Sequence, residues 1–304
     1  MKVLLVQADG KLPNLALMKL SAYHKTQGDT VGFHVSNPDR VYVSCIFSKN
    51  VSRARGTAKF YPDAEFEIGG PGLGTAGSLL PYEVEHSMPD YSLYGIDYSV
   101  GFSTRGCIRD CPFCQVHEVE GSFREHASIE EFLHPDHQKL LLFDNNFLAS
   151  TLWRVKLNYI NERGIKVSFT QGLDARLVDD EKAKVLERTE SFNTHFTYKT
   201  YYFAWDLMHE EDGVLRGLRK MIDAGVVASR IIVYMLVGYN TSHQEDVYRF
   251  RKLVELGVEP FVMIFNNRRD DRWLRDFARY VNKWIYRTVE FEKYNRGALV
   301  ESNS

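Results

Sequence analysis

Nowhere in the 304-residue chain does an uninterrupted apolar run approach the roughly 20 residues a membrane-spanning helix needs. Charge of one sign is also missing. Lys plus Arg number 38 against 40 Asp plus Glu, a net of −2, which leaves no global footprint for nucleic acid or an anionic membrane surface. Low-complexity tracts and long single-sign charge runs are absent. Cysteine is scarce: there are four, three of them clustered, which is not the pattern of a secreted disulfide framework and points to a reducing cytoplasm. The opening Met1-Lys-Val-Leu-Leu-Val-Gln-Ala turns polar too soon for a signal peptide and reads as a first strand. What remains, 44% hydrophobic and 26% charged, is ordinary globular material, enough for one large domain or two.

The first 75 residues alternate strand and helix patterns. Apolar runs at 2–8, 30–35, 40–47 and 65–69 read as strands, and the spacing at 15–25 and 51–60 predicts helices. Such alternation predicts a small Rossmann-like, doubly wound domain over 1–75. Its end, Gly69-Gly-Pro-Gly-Leu-Gly74, is not a G-x-G-x-x-G dinucleotide fingerprint and reads as a loop of tight turns. Residues 76–97, with Gly77, Pro81, Pro89 and Gly95, read as a linker that wraps.

From residue 98 a second rhythm repeats six times. Strand candidates fall at 98–102, 139–143, 166–170, 199–204, 230–237 and 259–265, with helices predicted at 128–133, 152–162, 179–188, 210–224 and 242–256. Ser128-Ile-Glu-Glu131 and Thr241-Ser-His-Gln244 fit capping boxes, and Gly164, Gly225 and Gly257 stand where helices should end. Six βα units predict an α/β fold with a partial parallel (β/α)6 barrel over 98–270, too few to close the full (β/α)8 form. A C-terminal helix at 272–284 and a tail complete the 271–304 segment.

Functional groups in parallel α/β architectures gather at the carboxyl ends of strands. After the first strand comes Cys107-Ile-Arg-Asp-Cys111-Pro-Phe-Cys114, spaced C-x3-C-x2-C. Three soft thiolates on one loop suit an iron–sulfur or zinc centre. Three protein ligands would leave one iron of a cubane open. Zinc would need a fourth ligand, and His117 could complete a Cys3His set; a barrel with its own core has no folding need of that metal, which favours the cluster. The later strand ends carry Asp144-Asn-Asn-Phe147, Thr170-Gln-Gly-Leu-Asp174-Ala-Arg176, Trp205-Asp206, Gly238-Tyr-Asn240 and Asn266-Asn-Arg268-Arg269. Arg268 could clamp a substrate anion, whereas Arg269 reads as part of the solvated start of the last helix. Cys45, inside an apolar strand, reads as a small buried hydrophobe.

With Phe113 just before the last cysteine, this pattern resembles the radical S-adenosylmethionine (SAM) superfamily over residues 98–265. In that family the three cysteines hold a [4Fe-4S] cluster whose open iron takes SAM, and reductive cleavage of SAM yields a 5′-deoxyadenosyl radical that abstracts hydrogen from substrate. The resemblance implies Cys107, Cys111 and Cys114 as cluster ligands and Phe113 near adenine. It implies Asp144, Asn145 and Asn146 near the SAM amino group. This segment departs from the common Gly-Gly-Glu and resembles an Asp-Asp-Asn-Phe form. Gln171, Trp205, Asp206, Gly238 and Tyr239 are further implied cofactor contacts. A flavodoxin or ferredoxin electron donor is implied, with a small-molecule or peptide substrate that no motif names; no catalytic residue is identified. The first 75 residues resemble a shortened or degenerate cobalamin-binding domain. Where that family carries Asp-x-His-x-x-Gly, this chain reads Asp9-Gly-Lys-Leu-Pro-Asn14, without a histidine, so cobalamin is not expected. The alternatives are a cobalamin-dependent methylase of the same superfamily and a non-catalytic, zinc-stabilised binding protein.

Overall fold

A computed structural model describes residues 1–76, 80–268 and 270–294. By internal contacts the chain divides into two compact units, one of 1–145 with 164–167 and the other of 146–163 with 168–304.

The first unit opens with β1 (Lys2–Gln7), followed by α1 (Leu15–Thr26), β2 (Thr30–Gly32), β3 (Arg40–Ser44), α2 (Val51–Gly56) and β4 (Glu65–Gly69). Asn14 starts α1 by accepting the Leu17 amide at 3.1 Å, and its own amide donates to Ser44 Oγ at 2.7 Å. The strands form a parallel sheet in the order β2-β1-β3-β4. Alternation sends Val3 and Leu5 to one face, against Leu17 and Leu20 of α1, and Leu4, Val41 and Val43 to the other, beside Ala54 of α2. Both faces are covered, as a parallel sheet requires. Each fully buried aliphatic side chain here contributes roughly 1.5–3 kcal/mol of transfer free energy.

Cys45 lies in the second of these clusters, and burial, then the nearby Asp9 carboxylate, push its thiol up. Asp9 itself accepts hydrogen bonds from the Ile46 and Phe47 amides at 2.7 and 3.0 Å and from Asn50 Nδ2 at 2.8 Å. Burial would raise its pKa, but these bonds outweigh burial and hold it below the ordinary range. The loop after β1 is thus spent on closing the end of β3. Gly70, at φ +105°, and Gly72 pass so close to the Cys45 carbonyl that a Cβ would stand 2.5 and 2.9 Å from its oxygen.

In the segment expected as a wrapping linker, of which 77–79 lie outside the described residues, α3 (Tyr82–Glu85) delivers Val84 to the α1 face. Then come β5 (Ser99–Gly101), β6 (Thr104–Arg105), α4 (Val116–Val119), β7 (Arg124–Glu125) and β8 (Lys139–Leu142). The helix predicted at 128–133 is only a 3-10 turn, Ile129–Glu131, and Ser128 makes no side-chain cap. Pro135 disfavours helical geometry at His134, and so short a stretch cannot recover the cost of nucleation.

The remaining elements are α5 (Trp153–Glu162), β9 (Lys166–Phe169), α6 (Asp180–Arg188), β10 (Tyr201–Ala204), α7 (Glu211–Asp223), β11 (Ile231–Val237), α8 (His243–Glu255), β12 (Glu259–Ile264) and α9 (Arg272–Asn282). All six expected strands are present. They form two three-stranded sheets, β5-β8-β9 and β10-β11-β12, the second wholly parallel, and Leu173 just past β9 bridges Phe203 of β10. Gly164, Gly225 and Gly257 each follow a helix at positive φ, as expected. The capping box of α8 is Ser242 with Glu245, one residue later than predicted, because Thr241 Oγ1 donates instead to Asp246 at 2.6 Å. Among the described residues no helix is long and apolar enough to cross a membrane.

Candidate functional site

The cysteine loop is held at its neck. β6 and β7 pair antiparallel, Thr104 with Glu125 and Arg105 with Arg124, and Cys107 bridges Ser122 just inside them. Gly106, at φ +71°, lies so near the opposing strand that a Cβ would stand 2.4 Å from the Ser122 carbonyl oxygen. The residue before the first cysteine must therefore be glycine. Arg105 locks the same neck: it donates to Glu120 at 3.0 Å and to Glu85 at 2.9 Å, and its guanidinium lies 3.7 Å from the Phe102 ring centroid.

Within the loop, the Arg109 amide donates to Cys107 Sγ at 3.3 Å, and the Cys114 amide to the Cys111 carbonyl at 2.9 Å. Cys107, Cys111 and Phe113 are half-buried and Cys114 is exposed. His117 directs Nε2 at the Arg109 carbonyl. Among the described residues no three His, Cys, Asp or Glu side chains are gathered into a set ready to hold a metal ion.

Asp144, at the end of β8, is 3% exposed and reaches back to the residue after Phe102. Its Oδ1 accepts the Ser103 amide at 2.6 Å and its Oδ2 the Ser103 hydroxyl at 2.5 Å. The carboxylate ties the base of the cysteine loop to the next strand end. Beside it, Asn145 Nδ2 is buried without a hydrogen-bond partner. A buried amide donor left unmatched costs about 1–3 kcal/mol.

The donor set suits an iron–sulfur cluster in kind: three thiols at short spacing and an amide already on one sulfur.

In the second unit the strand ends carry a polar network of their own. Asn146 Nδ2 lies 3.4 Å from Asp174, which caps the turn Ala175–Leu177 and pairs with Arg176 Nε at 2.6 Å; Arg176 continues to Glu210. Trp205 is wholly buried, its indole N–H on the Leu207 carbonyl at 3.1 Å. Asp206 accepts the Leu236 amide at 2.9 Å. Its carboxyl is pushed up to about 6, chiefly by burial, against the pull of that amide and of Arg249. Gln171 is exposed on the turn after β9. Gly238, at φ +74°, packs where a Cβ would meet Leu274 at 2.6 Å, and its carbonyl accepts from Arg268 at 3.2 Å. Tyr239 meets Phe265 edge-on at 4.8 Å. Arg269 lies outside the described residues.

Sequence reasoning passed over Arg249. Its side chain is wholly buried, donating to the Trp205 and Leu236 carbonyls at 2.6 and 2.7 Å and to Asp246 at 2.7 Å. It holds the ends of β10 and β11 together through their backbones. The signal was present: Asp246 and Arg249 fall on the same helical stripe as the buried Phe250 and Leu253, where a solvated ion pair has no place.

No protein-family model matches the chain, and no curated protein matches it in sequence.

Proposed function

We propose that the chain is a radical SAM enzyme, with Cys107, Cys111 and Cys114 holding a [4Fe-4S] cluster. The observation that carries the reading is the C-x3-C-x2-C loop issuing from the first strand of the βα series, with its neck closed by the β6–β7 pair and Gly106. When bound, such a cluster supplies an electron to the SAM sulfonium, releasing methionine and a 5′-deoxyadenosyl radical.

The chain's own residues prepare for this. The Arg109 amide donates to Cys107 Sγ, a bond that a cluster-ligating sulfur would keep. Asp144 anchors the loop base through Ser103. Asn145, implied by the resemblance to lie near the SAM amino group, has its Nδ2 buried without a hydrogen-bond partner, and its amide could serve a polar group of SAM. The neck pair limits the loop's freedom, so that gathering three thiols costs less entropy than on an open loop.

The test is anaerobic reconstitution followed by reduction in the presence of SAM. About four iron and four acid-labile sulfide per chain, with 5′-deoxyadenosine formed, is the expected result. Zinc without sulfide, or a complete cluster that never cleaves SAM, would sink the reading.

A further inference from the structure

The first unit holds a cavity of about 820 Å³, walled in part by the return of the cysteine loop at Glu118 to Gly121 and away from the cysteines themselves. Its floor is the carboxyl end of β3 and β4, with Ala16, Leu20, Val43 and Val84 among its apolar lining. Its volume is that of small-molecule sites, which are mostly apolar with a few placed polar groups. Two features of the wall narrow what it would take.

The first is a run of rings. Tyr82 and His86 lie 4.3 Å apart at an interplanar angle of 32°, and His86 and His126 5.0 Å apart at 48°. All three line the cavity. A wall of ring faces and edges favours a planar, ring-bearing guest.

The second is the carboxylate where that run ends. Glu85 Oε1 accepts from Lys19 Nζ at 3.1 Å, Arg105 at 2.9 Å and His126 Nε2 at 3.0 Å. Burial would raise the Glu85 pKa, but the His126 bond and the Lys19 and Arg105 charges outweigh it and hold the group ionised. Glu85 Oε2 has no hydrogen-bond partner among the described residues, and Glu85 lines the cavity. Around it the charges balance: Arg40, Arg105 and Arg124 line the cavity with Glu67, Glu85, Glu118 and Glu120, and Lys19, paired with Glu85 from behind, brings the count to four of each sign. No net charge is left over to recruit an ion, yet one acceptor oxygen stays open.

We infer that this cavity is a binding site for an uncharged, planar ring compound that presents an N–H or O–H donor to Glu85 Oε2. The inference is independent of the cluster reading, since it needs neither iron nor SAM.

N-phenyl-1-naphthylamine, an uncharged amine joining a planar naphthyl and a phenyl group through one N–H, is a suitable probe for titration into the full chain by fluorescence. Its sulfonated relative, 1-anilinonaphthalene-8-sulfonate, has the same rings and an added negative charge. Saturable binding of the neutral probe is expected, with the sulfonate weaker by about ten-fold or more because an anion would be desolvated beside Glu85 and Glu120. Ala16→Trp, which fills the cavity from α1, should abolish the neutral probe's binding while the circular dichroism spectrum and melting temperature hold. His86→Ala should weaken it by about three- to ten-fold through loss of ring contact. Absence of saturable binding, equal binding to a folded Ala16→Trp chain, or preference for the sulfonate would each overturn the assignment.

Discussion

Asp144 accepts both the amide and the hydroxyl of Ser103 where both residues are buried, and what one carboxylate does there is measurable. Asp144→Ala strands the Ser103 amide and is expected to lower unfolding stability by about 2–3 kcal/mol, with Asp144→Asn less damaging because one acceptor survives. Urea titration of both variants checks the order. Asp206 carries a pH signature. Its folded pKa is raised to about 6 from 3.8, chiefly by burial, so the folded chain retains the proton more tightly than the unfolded one. The stability from protonated Asp206 is present below the unfolded value and is lost as pH rises through the folded one. The stability gap between Asp206→Asn and the parent should therefore widen in the variant's favour by about 2 kcal/mol between about pH 4 and about pH 8. A constant gap would mean that Asp206 does not titrate in this window. Neither residue's position could be weighed from its neighbours in sequence, because both partners arrive from other strands.

At the scale of elements, Gly217 in the middle of α7 shows tertiary contact overriding local preference. Helix propensity alone favours alanine there by about 1 kcal/mol. A Cβ at that position would stand 1.8 Å from the Ala175 carbonyl oxygen in the turn that Asp174 caps. Gly217→Ala is expected to destabilise by about 2–4 kcal/mol, seen as a lower melting temperature, because backbone must move. At the start of α8, Ser242→Ala should cost about 1 kcal/mol in urea unfolding by removing the Glu245 cap. The strands were legible because a buried strand is a local apolar run with a period of two. The helix ends were legible where glycine follows. The 128–133 helix was not, since its residues favour a helix that Pro135 and its short length prevent.

For the whole molecule, the three clustered cysteines belong to neither hydrophobic cluster of the N-terminal sheet, and Cys114 is exposed. Cys107→Ala, Cys111→Ala and Cys114→Ala combined should leave melting within about 1 kcal/mol of the parent while abolishing iron uptake. A site that folds the chain around zinc would lose the fold with the metal, so circular dichroism of the triple variant separates the two metal readings.

Sequence alone determined the α/β class, the six βα strands, the parallel N-terminal sheet and the C-x3-C-x2-C loop. Each is written in runs and spacings a few residues long, where backbone geometry turns order into pattern. Only the tertiary structure decided the rest. Glu85 meets Lys19, Arg105 and His126 across 66, 20 and 41 residues, and Arg249 reaches Trp205 across 44. Such groups look like ordinary surface charge in one dimension. Burial, which makes an unmatched charge expensive and a matched one a constraint, depends on which distant strands the fold brings alongside.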